Sequence, residues 1–265
     1  MIENKNDSDS DSDSDSDPDS VSDWLFGLHT VYSVLKTSGS KIKELRVQKG
    51  RDDQRFKKII NLAKLQDIPL VWVLRSDLDM LTGGSHQGVA ALSESIGIQD
   101  ENYLFKLIAN EEKIPFLLIL DSLTDPHNLG ACMRSAEAAG VQAVIIPKDN
   151  AVGITPVVQK VSSGATELIP LIVVTNLSRI IKQLQDKGIW VIGAAGEAEN
   201  LLYDTDLSGP LALVMGAEEK GLRRLTRENC DTLIKIPMTG LISSLNVSVA
   251  TGVCLFEALR QRGKR

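Results

Sequence analysis

From residue 116 to the C-terminus, short and almost wholly apolar runs alternate with longer segments of helical period, and this alternation leaves few folds open. Residues 116–120, 143–146, 168–173, 190–193, 211–215 and 232–236 have the length and bounding residues of buried strands. Helices are expected between them, near 129–139, 156–161 and 177–186. Strands alternating with helices predict parallel βαβ units, and so an α/β fold with a parallel sheet. Such sheets bind ligands outside the carboxyl ends of their strands.

The stretch 211–261 concentrates that expectation. Its first apolar run stops at Gly216-Ala217 and its second at Pro237-Met238-Thr239-Gly240. A third bend, Ser243-Ser244-Leu245-Asn246, opens the last helix, where Ser or Asn can cap free amides. Glycine lacks a Cβ, and bends expose N–H and C=O groups, so a flat ligand can approach the backbone closely. Three such bends, close in sequence, predict one pocket.

A second α/β unit precedes this one. A helix is expected from about residue 30, a strand over 42–47, and a helix over 52–65 with Phe56, Ile59, Ile60 and Ala63 at helical spacing. A strand over 70–74, a short helix over 76–81 and a strand over 88–92 complete it. The polar loop 83–88 holds His86, which either touches RNA or simply belongs to the loop. The expected organisation is an acidic disordered tail over 1–23, a small domain over 24–95, a linker over 96–112 with one amphipathic piece at 103–109, and a larger domain over 113–265.

Net charge supports a division of labour. The formal charge is −6, but residues 1–23 carry nine acids and one Lys, leaving +2 on the remainder. Within that remainder, 24–95 has eleven Lys/Arg against seven Asp/Glu. Eight of the eleven fall within residues 41–58, a crowding that favours a grip on a polyanion over an ordinary solvated surface.

Several chemistries are poorly supported. There is no GxGxxG after a strand, no GxxxxGK[ST] and no GxSxG. His29, His86 and His127 are far apart, and the cysteines lack metal spacing, so no metal is expected. Three cysteines, no apolar run of membrane-spanning length and an acidic, polar start predict a cytoplasmic protein with buried thiols.

The remaining candidates are polar residues beside small ones. Asn128 stands where it can cap a helix, and Arg134 follows Gly130 by one turn on a helix otherwise rich in small residues. A buried Arg there needs an anionic or hydrogen-bonding partner, unless solvent supplies it. Glu218 follows Gly216 at a strand end, and Ser244 and Asn246 are either caps or site groups.

Taken together, DPHNLGACMRSAEAAG, MGAEEKGL and IPM…SSLNVSVATGVCLFEA resemble the three motifs of the SpoU (TrmH) group of SPOUT RNA methyltransferases. The resemblance covers nearly all of 113–265, and 24–95 is similar to the small L30e/L7Ae-like RNA-binding domain that precedes it in several members. It implies a trefoil knot in the C-terminal domain and a homodimer whose interface helps to build each site. It also implies S-adenosyl-L-methionine as methyl donor, contacted by Gly216, Ile236 and Leu245, mainly through backbone. Asn128, Arg134, Glu218, Ser244 and Asn246 match the group's catalytic and structural polar set. The implied reaction is transfer to the ribose 2′-OH of a guanosine in the peptidyl-tRNA-binding loop of 23S rRNA. A tRNA 2′-O-methyltransferase and a non-catalytic, RNA-binding assembly factor stay open as alternatives. The Asp/Ser-rich tail departs from the group's pattern.

Overall fold

The computed structural model describes residues 24–39, 42–82, 86–93, 97–109, 113–217 and 220–263. The acidic tail expected to be disordered, and Glu218, lie outside the described residues.

The first unit runs β1 (Trp24–Phe26), α1 (Leu28–Ser38), β2 (Ile42–Gln48), α2 (Gln54–Leu65), β3 (Leu70–Val73), α3 (Arg75–Thr82) and β4 (Val89–Ser93). Its four strands form one sheet in the order β1-β4-β2-β3. Asp53 caps α2 by accepting from the amides of Arg55 and Phe56, which explains why that helix starts just after the acidic pair. The apolar face read from the sequence, Phe56, Ile59, Ile60 and Ala63, is buried with Val31, Val34 and Leu35 of α1.

The second unit runs β5 (Ile98–Gln99), α4 (Glu101–Ile108), β6 (Phe116–Asp121), α5 (Pro126–Ala138), β7 (Ala143–Pro147), α6 (Pro156–Ser162), α7 (Ala165–Leu168), β8 (Leu171–Val174) and α8 (Leu177–Gln185). It continues with β9 (Trp190–Ala194), β10 (Asn200–Leu201), β11 (Leu211–Gly216), α9 (Arg224–Asn229), β12 (Thr232–Lys235) and α10 (Val247–Arg262). These eight strands pair in the order β10-β12-β9-β11-β6-β7-β8-β5, every pair parallel. The central strands are buried on both faces. Phe116, Leu118 and Leu120 of β6 enter one core, whereas Leu117 and Ile119 enter the other. β11 divides the same way, Leu211, Leu213 and Met215 against Ala212 and Val214. Helices α5 and α10 cover the first face, and α4 and α8 the second. That two-sided burial is why these strands read as continuous apolar runs.

The chain leaves β6 outward through β7 and β8, then returns to the far side of β6, where β11 is inserted between β9 and β6. The carboxyl ends of β9, β11 and β12 therefore lie side by side, on one flank of that reversal.

Two sequence expectations differ from the structure. Residue 168 closes the helical turn α7 instead of opening a strand, because Gly164 adopts φ 93° at its start and Pro170 ends it, so β8 begins at Leu171. Residues 98–108, expected within a linker, form β5 and α4. Asp100 caps α4 at Tyr103 N, and Leu104 is fully buried in the second core.

The two units touch through α1. The Thr30 hydroxyl donates to the Ser163 carbonyl at 3.0 Å, and a Cβ on Gly164 would lie 2.3 Å from Thr30 Cγ2. Leu168 packs against the small unit's core.

Candidate functional site

A cleft of about 750 Å³, including its open mouth, lies where the three strand ends converge. Ala194–Gly196 border it after β9, Gly216 and Ala217 after β11, and Ile236 and Met238 after β12. Ser244 and Leu245 close it ahead of α10, while Met215, Leu222, Ile234, Val247 and Ala250 supply apolar surface. Gly216, Ile236 and Leu245, expected from sequence to touch a cofactor, thus line one cleft, and Ser244 joins them. Apolar walls flanked by turns with accessible backbone groups suit a flat ring that carries polar edges.

The requirement for glycine at 216 has a structural source that sequence reading missed. The loop after β11 doubles back: Ala217 bridges Gly221, whose amide donates to the Ala217 carbonyl at 2.8 Å. A Cβ on Gly216 would sit 2.2 Å from the Gly221 carbonyl carbon. Arg223 anchors the far end of this loop, its amide donating to Asp121 Oδ2 at 3.0 Å and its Nε to Oδ1 at 2.5 Å. Asp121 is fully buried at the end of β6, where an unpaired carboxylate would be strongly destabilising.

Helices α5 and α10 meet at the cleft's edge. Asn246 caps α10, its Oδ1 accepting from Ser248 N at 2.9 Å. Its Nδ2 donates to Asn128 Oδ1 at 3.1 Å, so one side chain both starts a helix and ties it to α5. Asn128 is not the cap of α5. Asp125 takes that role, accepting from His127 N at 3.0 Å with Pro126 in the first turn, and Asn128 turns toward α10. Gly130 lets α5 approach α6, since a Cβ there would lie 2.8 Å from Val161 Cβ.

Arg134 is placed elsewhere. It is exposed and lines a second cleft, of about 950 Å³, with Trp24 and His29 of the small unit and Gln159 and Lys160 of α6. Six residues beyond Asn128 on a helix, it is turned by about 240° from that residue. It does lie on the α6 side with Gly130, as the sequence suggested, but a single chain does not bring it into the cleft that Gly216, Ile236 and Leu245 line. His86 is buried, its Nε2 3.0 Å from Asp79 Oδ1 and its Nδ1 accepting from Gly88 N at 2.8 Å, which makes it part of the loop's own framework.

Sequence reasoning also missed a pair on the first cleft's wall. Glu197 follows β9, Arg227 belongs to α9, and Glu197 Oε1 is 2.6 Å from Arg227 Nη1. The signal was available: Ala194-Ala195-Gly196-Glu197 ends an apolar run with small residues, as Gly216-Ala217 does.

Of the basic cluster over 41–58, Arg46, Arg51 and Lys57 pair with Glu44, Asp53 and Asp52. Lys49, Arg55 and Lys58 remain exposed on the small unit. Burial, reinforced by Asp231 and Asp121, pushes the Cys230 thiol up to about 12, and burial alone pushes Cys254 up to about 12. Neither is a thiolate nucleophile near neutral pH. Among the described residues no His/Cys/Asp/Glu group could hold a metal ion, and no helix is long and apolar enough to cross a membrane. Helix α10 exposes Val249, Phe256 and Leu259, and the segment before it exposes Leu241 and Ile242.

Residues 115–256 match the SpoU rRNA Methylase family, and residues 24–96 match a family described as RNA 2′-O ribose methyltransferase substrate binding. The 23S rRNA (guanosine-2′-O-)-methyltransferase RlmB of Shewanella oneidensis is 54% identical over 91% of this chain and 98% of its own length. Its namesake from Escherichia coli K12 is 50% identical over 91% of this chain and its full length. Among solved structures, an RNA 2′-O ribose methyltransferase superposes with TM-score 0.66 at 27% identity, covering 90% of this chain and 88% of that one. AviRb from Streptomyces viridochromogenes, crystallised with AdoMet, has TM-score 0.68 over 91% of both chains; at 21% identity it shows a shared fold.

Proposed function

The chain belongs to the SpoU rRNA Methylase family, and from that premise we propose that it transfers a methyl group from S-adenosylmethionine to the ribose 2′-oxygen of a guanosine in 23S rRNA. The observation that carries this reading is the convergence of Gly216, Ile236, Leu245 and Ser244 on one cleft, with Asn246 and Asn128 joined at its edge. Bound there, the donor supplies a methyl group already activated on a sulfonium. The chain's task is alignment, for which preorganisation contributes about 7–11 kcal/mol in favourable cases. Gly216, Ile236 and Leu245 would hold the donor, chiefly by backbone and apolar contact, while Asn246 and Asn128 fix the junction of α10 with α5.

Arg134 is assigned the 2′-oxygen. A guanidinium resists deprotonation, so its role is to stabilise developing negative charge on that oxygen, with the proton passing to another group or to water. Glu218 is assigned to the same polar set on sequence grounds. Because Arg134 faces away from its own donor cleft, the reading requires a homodimer in which the partner chain's copy of this arginine completes the site. The exposed apolar stripe of α10, Val249, Phe256 and Leu259, with Leu241 and Ile242 beside it, is the surface for that contact. The small unit, through exposed Lys49, Arg55 and Lys58, grips the RNA. A cytoplasmic location and the trefoil knot belong to the same reading.

The test is ribose-methylation mapping of rRNA and tRNA from cells with and without the protein, repeated with purified protein, donor and unmodified 23S rRNA. One 23S guanosine that loses its 2′-O-methyl in vivo and regains it in vitro supports the reading. Methylation confined to tRNA, or donor binding without any transfer, overturns it.

A further inference from the structure

The ion pair on the wall of the donor cleft has no assigned role, and its geometry is incomplete in an informative way. Glu197 Oε1 is 2.6 Å from Arg227 Nη1, and no other residue among the described ones pairs with Glu197. Arg227 has donors beyond the one spent on Glu197, and its Nε is buried without an acceptor. Both residues line the cleft, and both side chains are partly open to it. Glu197 enters from the loop after β9, the strand that lies between β11 and β12, so it stands between the two turns bearing Gly216 and Ile236.

A carboxylate oxygen to spare beside guanidinium donors to spare calls for a group that both donates and accepts. An ammonium alone leaves the guanidinium unmet and a carboxylate alone leaves Glu197 unmet; the donor's amino-acid end carries both groups and is the rival occupant. A vicinal diol meets both, one hydroxyl donating to Glu197 and the other accepting from Arg227. Resting on the donor assignment above, we propose that Glu197 and Arg227 form a clamp for the ribose 2′,3′-diol of the adenosyl group. The amino-acid end of the donor is thereby left toward Ser244 and the α5–α10 junction. The clamp residues are positioning groups for the donor and do not touch the RNA oxygen.

Calorimetry with S-adenosylhomocysteine and with 5′-methylthioadenosine separates the possibilities, because the second compound keeps the diol and lacks the ammonium and carboxylate. Glu197→Gln and Glu197→Ala, with Arg227→Lys as the conservative partner change, are compared with the full-length wild type at matched thermal stability. A hydrogen bond to a charged group predicts loss of affinity by about tenfold or more, equal for the two compounds. Of the 2′-deoxy- and 3′-deoxyadenosyl analogues, the one lacking the hydroxyl that meets Glu197 should then bind wild type and Glu197→Ala with nearly the same affinity, and if neither does the clamp is overturned. Loss with S-adenosylhomocysteine alone would reassign Glu197 to the ammonium and overturn the clamp, and unchanged affinity for both compounds would also overturn it. Failure of the wild type to bind either compound would instead strike the donor assignment itself.

Discussion

The cleft at the ends of β9, β11 and β12 and the cleft that holds Arg134 are built differently. The first is bounded by turns whose geometry one chain over-determines: the fold-back at Gly221, the Arg223–Asp121 anchor and the Asn246–Asn128 link. The second is a gap between units, lined by exposed polar side chains such as Arg134 and Lys160, and closed on one side by β1 and α1. A site finished within one chain should bind its ligand whatever its partner does. A site split between surfaces should depend on assembly. Donor affinity and turnover are therefore separable properties of this protein, and each substitution below should move one more than the other.

The largest separation is expected at Arg134. Arg134→Ala should lower turnover by about 10²–10⁴-fold, the range of a group acting on the reacting oxygen, with donor affinity changed less than about twofold. Single-turnover methylation beside calorimetry checks it. Wild-type turnover in this variant would remove Arg134 from the chemistry and dissolve the comparison. Phe256→Glu comes next. A charge in the α10 stripe should give monomers in sedimentation, and turnover should fall toward the Arg134→Ala level while each chain still binds one donor. A monomer with full turnover would show that the split site is not real.

Gly216→Ala should act in the opposite sense. Its Cβ meets the Gly221 backbone, which cannot yield without opening the loop, so donor affinity should fall by about tenfold or more. The Arg223→Ala variant should weaken the same loop from its other end, at a cost of about 1–3 kcal/mol, because Asp121 loses one charged donor but keeps the amide of residue 223 and the Ser122 hydroxyl. Melting curves with and without donor separate loss of fold from loss of affinity. Gly216→Ala with wild-type affinity would mean that the fold-back is dispensable.

Sequence reading reached the first cleft and not the second for a physical reason. The run Leu211–Gly216 and its neighbours are buried on both faces, so pattern and turn chemistry fix the strand ends, and parallel topology brings those ends together. Spacing on one helix turns Arg134 away from Asn128, but nothing in local pattern says that the Asn128 face meets α10 and the Arg134 face meets α6. Glu197 went unread although its loop ends a strand in small residues, because only the sheet order places that loop between the turns bearing Gly216 and Ile236. The helix α4 was legible only as an amphipathic piece over 103–109 within an expected linker, because its burial comes from β8 and α8, which are distant in sequence.

The smallest effect should come from removing residues 1–23, and it sharpens the comparison because it can reach only the RNA side. That segment carries −8, and without it the chain stands at +2. On the proposed reading an acidic stretch joined to the small unit would compete with RNA phosphates for Lys49, Arg55 and Lys58 through charge alone. Deletion should therefore raise RNA affinity by on the order of a few-fold at low ionic strength, an advantage that fades as salt shortens the screening length. Donor affinity should not change, since the charges on that cleft's wall, Glu197 and Arg227, are already paired with each other and the rest of the lining is chiefly backbone and apolar groups. Filter binding across a salt series measures the first quantity and calorimetry the second. An affinity gain that persisted at high salt would mean the tail blocks RNA by contact and not by charge. A change in donor affinity would mean that the two clefts are coupled.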